Sequence, residues 1–351
     1  MPPVFSSCAG ISLPRNGARC PRRPRIVALG GGTGLPTLLK GLKRAYYEPP
    51  TSAGLDQDLL TAIVTIADDG GSSGRLRRHY QVPPPGDIRN CLLALADADP
   101  RVAAMFDFRF SGTVDVGGHN LGNLILTALT QIENDFHAGL AYGASLLRVR
   151  GRVLPATCES VTLLAEFADG STVNGESAIA HDGKLIRQLR LDPASPSAPP
   201  TVVQAIDEAD AIVNAPGSLY TSLIAVLLVR EIAEALARRA RPVILAMNLM
   251  TEPGETDRYT AVDHILAIRR HAPTVRIGDV LLNAAPIPET TLQTYAAAGS
   301  SAVAPDRTLL RALGYRVVER DLLAKADKVR HDPDKLAAAV IDCALDGLTL
   351  S

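Results

Sequence analysis

Arg25-Ile26-Val27-Ala28-Leu29-Gly30-Gly31-Gly32-Thr33-Gly34-Leu35-Pro36-Thr37-Leu38-Leu39-Lys40 is the stretch around which the rest of the chain is read. Ile26 to Leu29 is a short apolar run, the pattern of a buried strand. Three glycines, a threonine and a fourth glycine follow, and then an apolar-periodic helix. Glycine has no Cβ, so the chain can turn sharply and its backbone can come close to a ligand. The first N–H groups of a helix have no partner within it and point outward. Strand, glycine turn and helix start together predict an anion site at Gly31, Gly32, Thr33 and Gly34, most often for phosphate. The glycine spacing is not Gly-x-Gly-x-x-Gly, and no Gly-Lys-Ser/Thr follows to make a Walker A loop. A ligand-free turn has the same local signature, so the other loops decide. The missing Walker lysine argues for holding a diphosphate over cleaving a triphosphate.

With 351 residues the chain can bury a substantial core, as one large domain or two. Its apolar fraction of 46% and charged fraction of 21% are those of a soluble globular protein. A net charge of −1 offers no global basic surplus. There is no tryptophan, and aromatic content is only 4%, which disfavours a base-stacking platform. Nucleic acid is therefore not an expected partner. No apolar run approaches the roughly 20 residues of a membrane span. Cys8, Cys20, Cys91, Cys158 and Cys343 are scattered with no Cys-x-x-Cys pair, so they read as free thiols in a reducing cytoplasm. Residues 1–24 combine prolines with Arg15, Arg19, Arg22 and Arg23 and lack a continuous apolar segment. They read as a disordered leader, and as a poor signal peptide.

From residue 25 the pattern alternates strand and helix. A helix is expected at 35–45, a loop at 46–58 and a strand at Leu60–Ala67. Later strands are expected at 211–214, 242–247, 277–282 and 315–319, with helices between them and after the last. Such alternation predicts an α/β fold, a Rossmann-like and mostly parallel sheet with helices on both faces. Residues 158–200 differ. They alternate with turn signals and read as a small β-rich insertion in a single domain spanning 25–351.

In an open α/β sheet, ligands bind beyond the carboxyl ends of the strands, where strand order reverses. The unusual loops of this chain follow strands or open helices. Asp68 and Asp69 stand where a nucleotide-binding fold places an acid for ribose hydroxyls. The pair could instead hold Mg²⁺ through water, or be a solvated turn. Gly70-Gly71-Ser72-Ser73-Gly74 extends that loop and offers a second phosphate cradle through its N–H groups and the hydroxyls of Ser72 and Ser73. Arg89, beside Asn90 at a helix start, could fork onto a diphosphate. His119, flanked by glycines and followed by Asn120 and Asn123, reads either as an acid-base or ligand group or as a cap of its own loop. Pro216-Gly217-Ser218 resembles a helix-start anion loop with Ser218 as N-cap. No histidine and acid accompany Ser218, so it is not expected to act as a nucleophile.

Read together, these loops carry a resemblance. Leu29-Gly-Gly-Gly-Thr-Gly-Leu35, Ala67-Asp-Asp-Gly-Gly-Ser-Ser-Gly-Arg-Leu76, Pro84-Pro-Gly-Asp-Ile-Arg-Asn-Cys91, Gly118-His-Asn-Leu-Gly-Asn123, Val153-Leu-Pro-Ala-Thr157, Pro216-Gly-Ser-Leu-Tyr-Thr-Ser222 and Pro253-Gly-Glu-Thr-Asp257 resemble the gluconeogenesis factor family (YvcK/GlmR-like). That family sits among proteins similar to 2-phospho-L-lactate transferase (CofD). The resemblance covers about 25–346. It implies a cytoplasmic, homo-oligomeric protein that binds UDP-N-acetylglucosamine and related UDP-sugars. It also implies a regulator of carbon flow between gluconeogenesis and cell-wall precursors, needed for cell morphogenesis, with glucosamine-6-phosphate synthase as a partner. NAD(P) can occupy such a site. Carried over by motif, Thr33 is the expected diphosphate contact, and Tyr295 and Arg330 are the expected UDP-sugar contacts. One departure is Ala215, where the family usually has glycine before Pro-Gly-Ser; its methyl group falls where backbone could approach ligand.

Overall fold

The computed structural model describes residues 23–48, 56–112 and 114–349. All but the last two residues of the expected leader, and residues 49–55 of the expected 46–58 loop, lie outside the described residues. Ten strands are described: β1 (Ile26–Gly30), β2 (Leu60–Val64), β3 (Arg152–Pro155), β4 (Thr162–Phe167), β5 (Thr172–Asn174), β6 (Ile186–Asp192), β7 (Ala211–Asn214), β8 (Val243–Ala246), β9 (Ile277–Asn283) and β10 (Arg316–Arg320). Seven of them form one sheet in the order β10-β9-β8-β7-β1-β2-β3. All of its pairings are parallel.

The hydrophobic runs explain the centre of the sheet. Every residue of β1, β2, β7 and β8 is buried. Parallel strands covered on both faces read as continuous apolar runs, as these do. The helix Gly34–Tyr47 places Leu35, Leu38, Leu39 and Leu42 inside, all 0% exposed. That spacing is one face of a helix. It packs beside the C-terminal helix Pro333–Thr349 on one side of the sheet.

Strand order runs from β1 to β2 and β3 in one direction, and from β1 to β7, β8, β9 and β10 in the other. The reversal therefore lies between β1 and β7, the switch point of a doubly wound sheet. The Gly30–Gly34 and Ala215–Ser218 turns stand there side by side.

Several elements differ from expectation. β2 stops at Val64 because its neighbour β1 ends at Gly30, which is opposite it. Gly71-Ser72-Ser73-Gly74 is not an extended loop; it is the first turn of the helix Gly71–Tyr80. That helix starts directly against the preceding acids: a Cβ on Gly74 would sit 1.7 Å from the Asp69 carbonyl oxygen. The insertion forms a three-stranded antiparallel sheet, β5-β4-β6, as expected, with an unforeseen helix at Glu176–Asp182. β3 went unrecognised because it is four residues long and ends on a proline. The helix expected between the strands at 211–214 and 242–247 is broken into a π-helical segment Leu219–Ile224, a short turn Ala225–Leu227 and the helix Arg230–Arg238.

Candidate functional site

The cleft beyond the carboxyl ends of β1, β7 and β8 has two neighbouring lobes. One, of about 370 Å³, is lined by Thr33, Gly34, Pro216, Gly217, Ser218 and Asn248, with Tyr295, Arg330 and His331 opposite. The other, of about 510 Å³, is lined by Gly32, Thr33, Lys40, Asn90, Asp107 and Arg330, among others. Thr33 and Arg330 belong to both lobes. Volumes of this size suit small-molecule ligands.

The glycine turn is held from two sides. Gly32 N–H donates to Asp87 Oδ2 at 2.7 Å. A Cβ on Gly34 would lie 1.8 Å from the Pro216 carbonyl oxygen, so the two turns touch only because that residue is glycine. Thr33 stands at the helix start with no side-chain capping bond, and its hydroxyl has no hydrogen-bond partner among the described residues. Beyond it the helix start presents unpaired N–H groups and the positive end of the helix dipole. Arg330 is exposed, and its guanidinium has no hydrogen-bond or ion-pair partner among the described residues.

Across the switch point, Asn248 clamps the backbone of one residue, Gly217. Gly217 N–H donates to its Oδ1 at 2.9 Å, and its Nδ2 donates to the Gly217 carbonyl at 2.8 Å. Ser218 does not cap with its side chain; its hydroxyl donates to Glu252 Oε1 at 2.9 Å. The π-helical segment that follows gives Glu255 two donors, Thr221 Oγ1 at 2.7 Å and Tyr220 N–H at 3.2 Å. Short π segments recur at functional sites. Asn248→Ala is expected to weaken ligand binding in the cleft about tenfold, because two hydrogen bonds fix the Gly217 peptide that lines it. A titration of the variant checks this, with a melting curve to show that the fold persists. The Ala215 methyl does not line either lobe. It is buried, 3.6 Å from where a Cβ on Gly30 would lie.

Tyr295 joins the site from the helix Glu289–Ala297; its hydroxyl accepts the Val329 N–H at 3.1 Å, next to Arg330. His331 follows. Burial depresses its pKa to about 4 although the Met247 backbone holds it, so it is neutral at pH 7; its Nε2 is buried without a partner among the described residues.

A second group of expected residues forms a network that does not line either lobe. Ser72 Oγ lies 3.0 Å from His119 Nδ1. The same oxygen accepts from Asn120 N–H and from Asn123 Nδ2, each at 3.3 Å. With its lone pairs engaged, Ser72 donates its own proton to His119 Nδ1, which assigns the imidazole as neutral with its proton on Nε2. Burial, together with Arg75, His79 and Arg109, lowers the His119 pKa in the same sense. Asn123 Nδ2 also reaches Ser73 Oγ at 3.4 Å. Arg89 is buried, with one arm on Asn123 Oδ1 at 3.1 Å and another on Asn90 Oδ1 at 2.5 Å. It thus stands one layer behind Asn90, which faces the cleft. Asn120 caps the helix Leu121–Glu133 through the Asn123 N–H.

Asp68 and Asp69 part from each other. Asp68 Oδ1 accepts the Gly70 N–H at 2.9 Å, whereas Asp69 Oδ1 accepts the Ser177 N–H of the insertion at 2.9 Å. Among the described residues no three His, Cys, Asp or Glu side chains are grouped to hold a metal ion. Gly71 opens its helix with open space where a Cβ would be.

Asp87 links the network to the glycine turn, and sequence reading passed over it. Burial and the nearby Asp68 raise its pKa to about 6, although the Gly32 amide opposes the shift. Asn248, Lys40, Glu252, Glu255 and His331 were also missed. Asn248 could have been found as a polar residue directly after an apolar strand; the others carry no such local signal.

Glu176, at the start of the insertion helix, gives a pH prediction. Burial first, then Asp68, Asp87 and Glu255, raise its pKa from 4.5 to about 9, and its Oε2 is buried without a partner among the described residues. Below pH 4.5 both folded and unfolded states are protonated. As pH rises from 4.5 to 9 only the unfolded chain ionises, so the folded state binds more protons and stability falls. Glu176→Gln removes that loss. Thermal denaturation is expected to show the variant more stable than the parent at pH 8, by about 1–3 kcal/mol, and no different near pH 4.

The comparisons with known proteins agree with this architecture. The sequence pattern of the 2-phospho-L-lactate transferase CofD family matches residues 26–323. The chain is similar to the gluconeogenesis factor of Bacillus subtilis, at 42% identity over 92% of this chain and 98% of that one. It is equally similar to the Listeria monocytogenes gluconeogenesis factor, at 42% identity over 91% and 95%. A crystal structure from Bacillus halodurans, described as a member of the UPF0052 family, superposes with a TM-score of 0.84 at 40% identity, covering 91% of this chain and 99% of that one. On this agreement of fold and sequence, the chain belongs to the CofD family, alongside relatives named gluconeogenesis factors.

Proposed function

We propose that this protein is a cytoplasmic UDP-sugar-binding regulator, with UDP-N-acetylglucosamine as its ligand, that partitions carbon between gluconeogenesis and cell-wall precursor synthesis and supports cell morphogenesis. The observation that carries this reading is the meeting of Thr33, Tyr295 and Arg330, three residues distant in sequence, on one cleft at the switch point. A diphosphate fits over the free helix start at Thr33 and Gly34, where the dipole favours negative charge. Arg330 lies on both lobes and can fork onto its oxygens. The two lobes then take the nucleoside and the sugar. Tyr295 offers a ring for one of them to flank. Glucosamine-6-phosphate synthase is the partner whose activity such a sensor would adjust.

A second reading is favoured by the Asp87 carboxylate on the Gly32 N–H, with the Asp68 charge near it: transfer of a phosphate-linked group from a nucleotide conjugate, with Mg²⁺ offsetting the charge of the leaving diphosphate. One experiment separates the two. The protein is titrated with UDP-N-acetylglucosamine in a calorimeter with Mg²⁺ present, and the mixture is then followed by phosphorus NMR. The regulator reading expects micromolar binding and an intact ligand. Absence of binding, with Mg²⁺-dependent consumption of a nucleoside diphosphate conjugate, would sink it. NAD(P), which also carries a diphosphate, serves as the competing ligand.

A further inference from the structure

A third cavity, of about 650 Å³, lies between β3 and the helix Phe136–Leu146. It is at the other end of the sheet from the cleft. Arg152 pairs with Thr61 near the amino end of β2, and Gln57 of the cavity wall precedes that strand. The five residues of β2 separate the two ends by roughly 16 Å.

Arg148, Arg150 and Arg152 all line this cavity, and no carboxylate among the described residues does. Two of the three are braced from outside it. Arg150 Nε donates to Asp97 at 2.9 Å, and Arg152 Nη1 to Asp58 at 3.1 Å. Each guanidinium carries five N–H donors, so both keep some for a further acceptor. Arg148 is exposed and has no ion pair or side-chain hydrogen bond among the described residues. Its backbone is left-handed, with φ +49°, pinned by its own N–H on the Ser145 carbonyl and by Val149 N–H on Ala144. A non-glycine residue resists that conformation, and such residues concentrate at functional sites. His137 lines the same wall, and its Nδ1 is buried without a partner among the described residues. Leu140 and Leu154 supply a buried apolar floor.

We propose that this cavity is a second ligand site, separate from the cleft, that takes a small phosphorylated metabolite. Its phosphate is held by Arg148 with Arg150 and Arg152, its body rests on the apolar floor, and His137 supplies a further polar contact. A protein that adjusts carbon flow would then read two ligands, one at each end of the sheet.

The test uses inorganic pyrophosphate as probe, titrated by calorimetry into the full chain already saturated with UDP-N-acetylglucosamine. One saturable site per chain is expected. Arg148→Gly accepts the left-handed backbone without strain, so it removes the guanidinium and spares the fold. It is expected to weaken pyrophosphate at least tenfold, and Arg148→Lys to retain most of the affinity. Should UDP-N-acetylglucosamine fail to bind at all, the same titration in Arg330→Ala protein decides this site separately. No saturable pyrophosphate binding, or full affinity in Arg148→Gly, overturns the proposal.

Discussion

Arg330→Ala is expected to reduce affinity for UDP-N-acetylglucosamine by about 10- to 100-fold. A hydrogen bond between charged partners contributes about 1.5–3 kcal/mol, and each 1.4 kcal/mol is tenfold. The arginine lies on the wall of both lobes, so its loss affects whichever lobe holds the sugar. The same exposure makes the experiment clean. Because the guanidinium has no hydrogen bond or ion pair among the described residues, removing it breaks no polar contact there, and the melting temperature is expected to be nearly unchanged. Calorimetric titration of parent and variant, each with a melting curve, reads both effects. An affinity that does not move would take Arg330 out of the site.

Gly34→Ala is expected to act in the opposite manner, through the fold itself. The new methyl would lie 1.8 Å from the Pro216 carbonyl oxygen and 2.5 Å from its carbon. Both are backbone atoms at the ends of adjacent central strands, so neither can swing aside as a long side chain would. The β1 and β7 turns must separate by more than 1 Å. Overpacking of this kind costs about 1–3 kcal/mol, read as a lower melting temperature. Since the same two turns form one wall of the cleft, UDP-sugar binding is expected to fall more than 100-fold, a larger loss than removing any single contact. A variant that melts and binds like the parent would show that the turns are not in contact.

The positions of the central strands were legible because parallel strands buried on both faces are plain apolar runs, as Ile26–Leu29 and Ala211–Val213 are; their order in the sheet was not. The position of the cleft followed from those runs, since loops after such strands gather at their carboxyl ends. The detail within those loops was not legible. Ser72 and Ser73 read as a cradle, yet they open a helix and are tied up with Asn123. Ser218 read as a cap, yet it bonds to Glu252, thirty-four residues on. Arg89 read as a fork onto a diphosphate, and its arms are taken by Asn123 and Asn90. In each case at least one deciding partner, Asn123 or Glu252, is distant in sequence, and no local pattern names it. Tyr295 and Arg330 show the limit from the other side. Periodicity alone makes one a core aromatic and the other a surface charge. Only the resemblance singled them out, and the fold then brings them together across from Thr33.

Co-crystallisation with UDP-N-acetylglucosamine tests the central claim most directly. The account predicts density for the diphosphate between Thr33 at the helix start and Arg330, with the nucleoside and sugar in the two flanking lobes and Tyr295 beside one ring. Ligand density elsewhere on the molecule, or an empty cleft at saturating ligand, would contradict it.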